Sequence, residues 1–172
     1  IGHGFTAGPG FSYSMWEALR QRSGAFAGTL AWYARDVTLA RGAESEAGRA
    51  LYAGGDFFQT LGVGAAQGRV FTAPDDVRGG PPVCVVSYRY WQRHLGGSLQ
   101  TIGTVLHVDG VAVTIIGVAS RGFDGLEVGP SFDIALPLGP ELSIGGPSAA
   151  VFQPRVALLL VMVRLRTGQS IE

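Results

Sequence analysis

The chain has 172 residues, enough for one domain or two small subdomains, and 47% of them are hydrophobic, ample for a core. Thirteen basic and thirteen acidic residues cancel, so no charge excess points to nucleic acid or to an anionic membrane surface. Every basic residue is Arg, which excludes Schiff-base lysine chemistry and a P-loop lysine.

In chain order, residues 1–11 are Gly-rich and read as loop. Ser14-Met15-Trp16-Glu17 has the form of a capping box and predicts a helix to about Arg22, stopped by Ser23-Gly24. Trp16 and Leu19 are its candidate core contacts. Thr29–Tyr33, Val37–Ala40 and Arg49–Ala53 are β-prone, with a turn at Arg41–Glu44. Asp56 is placed to cap a short helix from Phe57 to Leu61, and residues 62–68 read as loop. Thr72–Pro81 is polar and reads as an exposed connection.

Val83–Val86 is a buried strand by its continuous apolar character. Within it Cys84, the single cysteine, reads as a small core residue and has no partner for an internal disulfide. That usage fits a cytosolic protein, and equally a periplasmic one that needs no disulfides. Ser87 caps the next helix, where Tyr88, Trp91 and Leu95 share one face, and Gly96-Gly97 ends it. Thr104–Val108 and Ala112–Val118 flank Asp109-Gly110, a strong type I′ hairpin signal. Asp133–Leu136 is a short strand, Gly139–Ser148 a flexible-looking connection, and Val156–Arg166 a long strand. Strands and helices mix without regular alternation, so the fold class is α+β, with mixed sheets and a few short helices. The eight apolar residues of Val156–Val163 fall far short of the ~20 that span a bilayer. Ile1 and the closing Thr167–Glu172 read as the ends of a fragment of a longer protein.

Catalytic and ligand motifs are scarce. Gly62, Gly64 and Gly68 are one residue too widely spaced for a dinucleotide loop and follow a helix rather than a strand. His3, His94 and His107 lie far apart and offer no metal-ligand spacing. His94 suits a helix C-terminal turn, and His107 alternates with Val105 on a solvent-facing strand face. Asp75-Asp76 lacks the remaining ligands of a calcium loop and reads as an exposed acidic turn. Asp124 and Glu127 are another carboxylate pair, of a kind that can serve acid–base work, but without a pocket they read as loop or surface charges. Trp91, Phe57 and Phe58 read as core, while Tyr90 and Arg93 are the outward-facing candidates for a partner contact.

Three blocks, taken in order, resemble the extracytoplasmic core domain of MacB-type ABC transporter permeases. The first runs Gly55-Asp56-Phe57-Phe58-Gln59-Thr60-Leu61-Gly62-Val63, then Gly68-Arg69-Val70-Phe71-Thr72 and Asp75-Asp76. The second joins Val83–Gly97 to Ile102-Gly103, Asp109-Gly110 and Thr114-Ile115-Ile116-Gly117-Val118. The third, Gly122-Phe123 with Gly125-Leu126, Asp133 and Pro137-Leu138, is similar to the duplicated orphan permeases of acidobacteria. Phe11-Ser12-Tyr13, Leu19-Arg20 and the closing Val163–Gly168 fit the same pattern. Cys84 stands where an aliphatic residue is commoner, and Ser98–Thr101 where an Asp-Pro-type turn is usual.

The resemblance implies one extracytoplasmic core domain over residues 1–172. It would combine a porter-like part, an inserted β-rich part at about 29–138, and the start of a second porter-like segment at 156–172. It implies a place on the periplasmic side of the bacterial inner membrane, within an integral membrane protein. No catalytic residue, cofactor or metal is implied. The implied partners are the rest of the permease, a second copy in the full-length transporter, and an accessory periplasmic protein or exported substrate. The expected function is non-enzymatic: coupling ATP-driven motion to export or to an accessory protein. Two alternatives stand beside it, an enzyme using a carboxylate site near Asp124 and Glu127, and a stand-alone ligand-binding sensor.

Overall fold

The computed structural model describes residues 10–22, 24, 26–127, 129, 131–145, 149–153 and 156–167. The loop expected at residues 1–9, His3, the Ser23 stop signal and residues 168–172 lie outside that set.

The first helix, α1 (Tyr13–Gln21), starts earlier than the capping box predicts. Its N-cap is Ser12, whose hydroxyl accepts from the Met15 N–H. Phe11 sets the starting point, because its backbone exchanges two hydrogen bonds with Leu159. The chain leaves that bridge extended, and Ser12 is the next residue able to cap.

Strand β1 (Gly28–Arg41) is continuous where the sequence predicts two strands. The intervening Ala34-Arg35-Asp36 looked like a break because it is polar. It stays in the strand because β2 (Glu44–Ala53) pairs along it from Trp32↔Ala53 to Arg41↔Glu44. β2 therefore begins at the turn rather than at Arg49. The helix α2 (Phe57–Leu61) follows, without a side-chain cap from Asp56.

Part of the expected loop is a strand, β3 (Ala65–Gly68). It pairs with β6 (Val111–Ala119), a partner distant in sequence that no local signal announces. β4 (Val83–Val86), α3 (Tyr88–His94) and β5 (Val105–Val108) lie as predicted. So does the hairpin turn, with φ of 50° at Asp109 and 84° at Gly110, the left-handed pair a type I′ turn requires. β7 (Ile134–Pro137) leads into α4 (Glu141–Gly145), a helix in the stretch expected to be a flexible connection. β8 (Leu160–Arg164) is shorter than the Val156–Arg166 run, since the chain reaches β1 only after Leu159 has bridged to Phe11.

Among the described residues eight strands form one mixed sheet, and six of them close a ring. β1 pairs with β2, β2 with β7, β7 with β4, β4 with β6, β6 with β5, and β5 returns to β1 through Leu39↔Val108 and Ala40↔His107. β8 extends the sheet beside the N-terminal half of β1, and β3 beside the end of β6.

Alternation along the strands sorts the buried side chains into two cores. One draws on all six ring strands, with Leu39, Tyr52, Cys84, Leu106, Ile115 and Ile134 among its members, and so fills the ring. α3 adds Trp91 and Leu95 to it, and α1 adds Trp16. The second core lies on the other face of β1, β2, β4 and β7, where Trp32 and Leu51 meet Phe57, Phe58, Phe71 and Phe132. Phe58 packs edge-on against Phe57 and Phe71, with ring centroids 5.4 and 4.9 Å away. Both faces of these strands are thereby covered, which explains their near-continuous apolar runs.

Candidate functional site

Helix α3 and the tip of the β1–β2 hairpin enclose a polar notch at one end of the ring. Ser87 fixes the helix: its buried hydroxyl accepts from the Tyr90 N–H, and its own N–H donates to the Asp133 carbonyl. Trp91 then turns into the core and donates from its indole N–H to the Ser98 carbonyl at 3.0 Å. Three residues toward the tip form a clamp. The Tyr90 hydroxyl donates to Glu46 Oε1 at 2.9 Å, and His94 Nδ1 lies 2.8 Å from Glu46 Oε2. The Tyr90 and His94 rings stack with centroids 4.7 Å apart and planes within 10°. Burial, and then the Glu46 carboxylate, push the Tyr90 phenol above its usual range.

Beside the clamp is a cavity of about 320 Å³, lined by Leu39, Arg41, Glu44, Glu46, Tyr90 and His94 among others. Its walls carry charge of both signs, which suits a polar contact better than an apolar guest.

The expected outward orientation holds for Arg93 and is corrected for Tyr90. Arg93 is exposed and makes no ion pair or hydrogen bond with a described residue. Tyr90 is only 4% exposed, because one turn before His94 its ring must pass under the hairpin to reach Glu46. Arg89, on the same helix, is tied to Asp133 at 3.2 Å. His94 ends α3 as expected, but it pairs with Glu46 rather than standing free. Spacing gives no hint of that contact, since strand register brings the two residues together. His107 and Val105 are both exposed, as the alternation predicts.

Asp75 and Asp76 diverge rather than forming one acidic turn. Asp75 takes a two-pronged pair from Arg69 at 2.7 and 2.8 Å and accepts from the Thr72 N–H, so the Arg69 hydrogen bonds hold its carboxyl below the usual range. Asp76 is buried and corrects the expectation of an exposed connection. Its two oxygens accept from the Gly139 and Gly55 N–H groups at 2.6 and 2.9 Å, stapling the β7–α4 connection to the start of α2. Asp124 and Glu127 are both exposed on the β6–β7 connection, with no ion pair or hydrogen bond to a described residue. Nothing there holds them to a common substrate atom. Among the described residues no group of three or more His, Cys, Asp or Glu side chains is placed to hold a metal ion.

A second polar cluster joins β1 to the β5–β6 turn, where Arg35 and Asp109 are partly exposed. Arg35 donates to Asp109 at 2.8 Å and to the Tyr52 hydroxyl at 2.9 Å, and Asp109 also accepts from the Thr38 N–H. Tyr52 stacks on Tyr33 with centroids 5.0 Å apart.

The family described as MacB-like periplasmic core domain matches residues 2–172. Several solved structures are similar in fold. The periplasmic region of MacB from Actinobacillus actinomycetemcomitans aligns with a TM-score of 0.72 at 17% identity, over 98% of this chain and 73% of that one. A domain of a protein described as a permease, from Porphyromonas gingivalis, aligns with a TM-score of 0.67 at 17% identity, over 96% and 72%. The extracellular domain of the noncanonic ABC-type transporter YknZ from Gram-positive bacteria gives 0.59 at 15% identity, over 89% of each chain. No curated protein matches the sequence. Among the described residues no helix is long and apolar enough to cross a membrane.

Proposed function

The chain belongs to the MacB-like periplasmic core domain family, and from that premise we propose that it is a non-enzymatic relay of an ABC-type permease. It couples ATP-driven motion to export or to an accessory protein on the extracytoplasmic side of the membrane. The observation that carries this reading is the family match across residues 2–172. A closed ring with a packed interior and a covered outer face supports it, because such a body moves as a unit and transmits displacement rather than absorbing it.

The domain reading is part of the proposal. Residues 29–138 form the β-rich insertion, and 156–172 begin the second porter-like segment. In support, Tyr13 of α1 packs edge-on against Phe152 at 4.5 Å, and β8 pairs with the N-terminal half of β1. Arg93, on the exposed side of α3 beside the notch, is the partner contact, with Tyr90 as the buried support of that helix.

The test is made in the full-length permease. Apolar segments of ~20 residues are expected to flank the domain. Arg93→Glu is expected to reduce export severalfold, leaving thermal stability and basal ATP hydrolysis unchanged. Polar flanking sequence throughout defeats the permease reading, and unchanged export defeats the role of Arg93.

A further inference from the structure

Strand register gives the notch at the β1–β2 tip walls of unlike chemistry. Leu39 lies opposite Glu46, and Arg41 opposite Glu44. Residues two apart on a strand share a face, and directly opposed residues point to the same side of the sheet. One face of the hairpin therefore carries an apolar residue, a cation and two carboxylates. Helix α3 closes the other side with Tyr90, His94 and Leu95. Leu39 and Leu95, 1% and 7% exposed, make an apolar floor.

The charged groups of the notch are in two different states. Glu46 is fixed, with one oxygen on the Tyr90 hydroxyl and the other on His94 Nδ1. Arg41 and Glu44 are exposed, and neither side chain makes an ion pair or a hydrogen bond with a described residue. Opposite charges directly across an antiparallel pair ordinarily attract each other. Here both line the same cavity and leave each other unpaired. A guest that satisfies both carries an anion for Arg41 and a cation for Glu44. The cavity of about 320 Å³ is at the low end of the ~300–1,000 Å³ of ligand pockets, which limits that guest to a small molecule.

We propose that the notch is a binding site for a small zwitterion of the amino-acid or dipeptide class. Its carboxylate pairs with Arg41, its ammonium with Glu44 beside Glu46, and its apolar part rests on Leu39 and Leu95. With Nδ1 turned to Glu46, His94 keeps Nε2 as a further hydrogen-bonding atom. The stacked Tyr90 and His94 rings and their two contacts to Glu46 hold α3 against the hairpin, so the cavity is formed before the guest arrives. The terminus of a protein partner carries only one of the two charges, and a free small molecule is the occupant that uses both.

Titration of the 172-residue chain with L-alanyl-L-alanine, followed by amide NMR, tests the site. Saturable shifts are expected at Arg41, Glu44 and His94, with a Kd on the order of millimolar for a ligand of about ten non-hydrogen atoms. N-acetyl-alanyl-alanine lacks the ammonium and alanyl-alanine amide lacks the carboxylate. Each is expected to bind about tenfold more weakly, the scale of one hydrogen bond between charged groups. Arg41→Gln is expected to make the dipeptide and its amide bind alike, and Glu44→Gln to do the same for the dipeptide and its N-acetyl form. The blocked ligands probe the same charges on the unaltered chain, so a variant that fails to fold leaves the test intact. Absence of saturation, equal binding of the blocked dipeptides, or an unchanged preference in either folded variant overturns the site. Arg93 is unaltered in these variants, so this site and the Arg93 contact stand or fall separately.

Discussion

Asp75 and Asp76 are adjacent and chemically identical, yet their surroundings divide their work. The Arg69 fork lowers the Asp75 carboxyl, whereas desolvation raises Asp76 against the pull of two backbone N–H groups. A lowered carboxyl contributes stability above its ordinary value and loses it as pH falls through the folded one. Asp75→Asn is therefore expected to shrink the loss of urea midpoint between about pH 6 and about pH 3, and an equal loss in both proteins counts against the Arg69 clamp. Asp76 acts with the opposite sign and erodes stability as pH rises. The acidic pair was legible as residues, but its division was not. The sequence places two carboxylates side by side, and only partners from residues 55, 69 and 139 tell them apart. Trp91, Phe57 and Phe58 were legible as core because large aromatics at helical spacing have few other places to go. Tyr90 was misplaced because it lies off the Tyr88–Trp91–Leu95 face of the helix, while Glu46 offers its hydroxyl a partner beneath the hairpin.

At the scale of elements, local chemistry was sufficient wherever a turn or cap is self-contained. Asp109-Gly110 predicted its hairpin because left-handed φ at two successive residues suits few other pairs. Asp109 does more than turn the chain, since it also joins the Thr38 N–H and Arg35. Asp109→Ala is expected to cost about 2 kcal/mol, the scale of hydrogen bonds to a charged group, read from the urea midpoint. Little or no loss would mean that the Arg35 contact is solvent-screened and idle. Elements whose partners are distant escaped detection. β3 exists because β6 pairs with Ala65–Gly68, and Gly117 permits that approach, since a Cβ there would meet the Arg69 carbonyl at 2.0 Å. The polar middle of β1 stays extended because β2 runs its length. α4 formed in a stretch that composition marked as flexible, because burial of Ile144 and Glu141 rewards a helix that propensity alone does not.

For the whole molecule, closure of the ring is the central fact, and it predicts the behaviour of Cys84. The thiol is fully buried inside the ring, and burial pushes its pKa up to about 12. It is expected to resist disulfide reagents in the native protein and to react as the ring opens in urea, with both transitions at the same midpoint. Labelling well below the unfolding midpoint would indicate that the ring breathes locally. By itself the sequence determined the α+β class, several core residues such as Trp16, Phe57, Phe58, Cys84 and Trp91, the principal hairpin and the family. Each of these is written in local periodicity or in ordered short motifs. Tertiary structure alone decided that six strands close on themselves, that Glu46 meets Tyr90 and His94, and that Asp76 and Glu141 are buried. The reason is common to all three: they depend on pairings between residues far apart in the chain, which local patterning leaves unspecified until the register of the sheet is set.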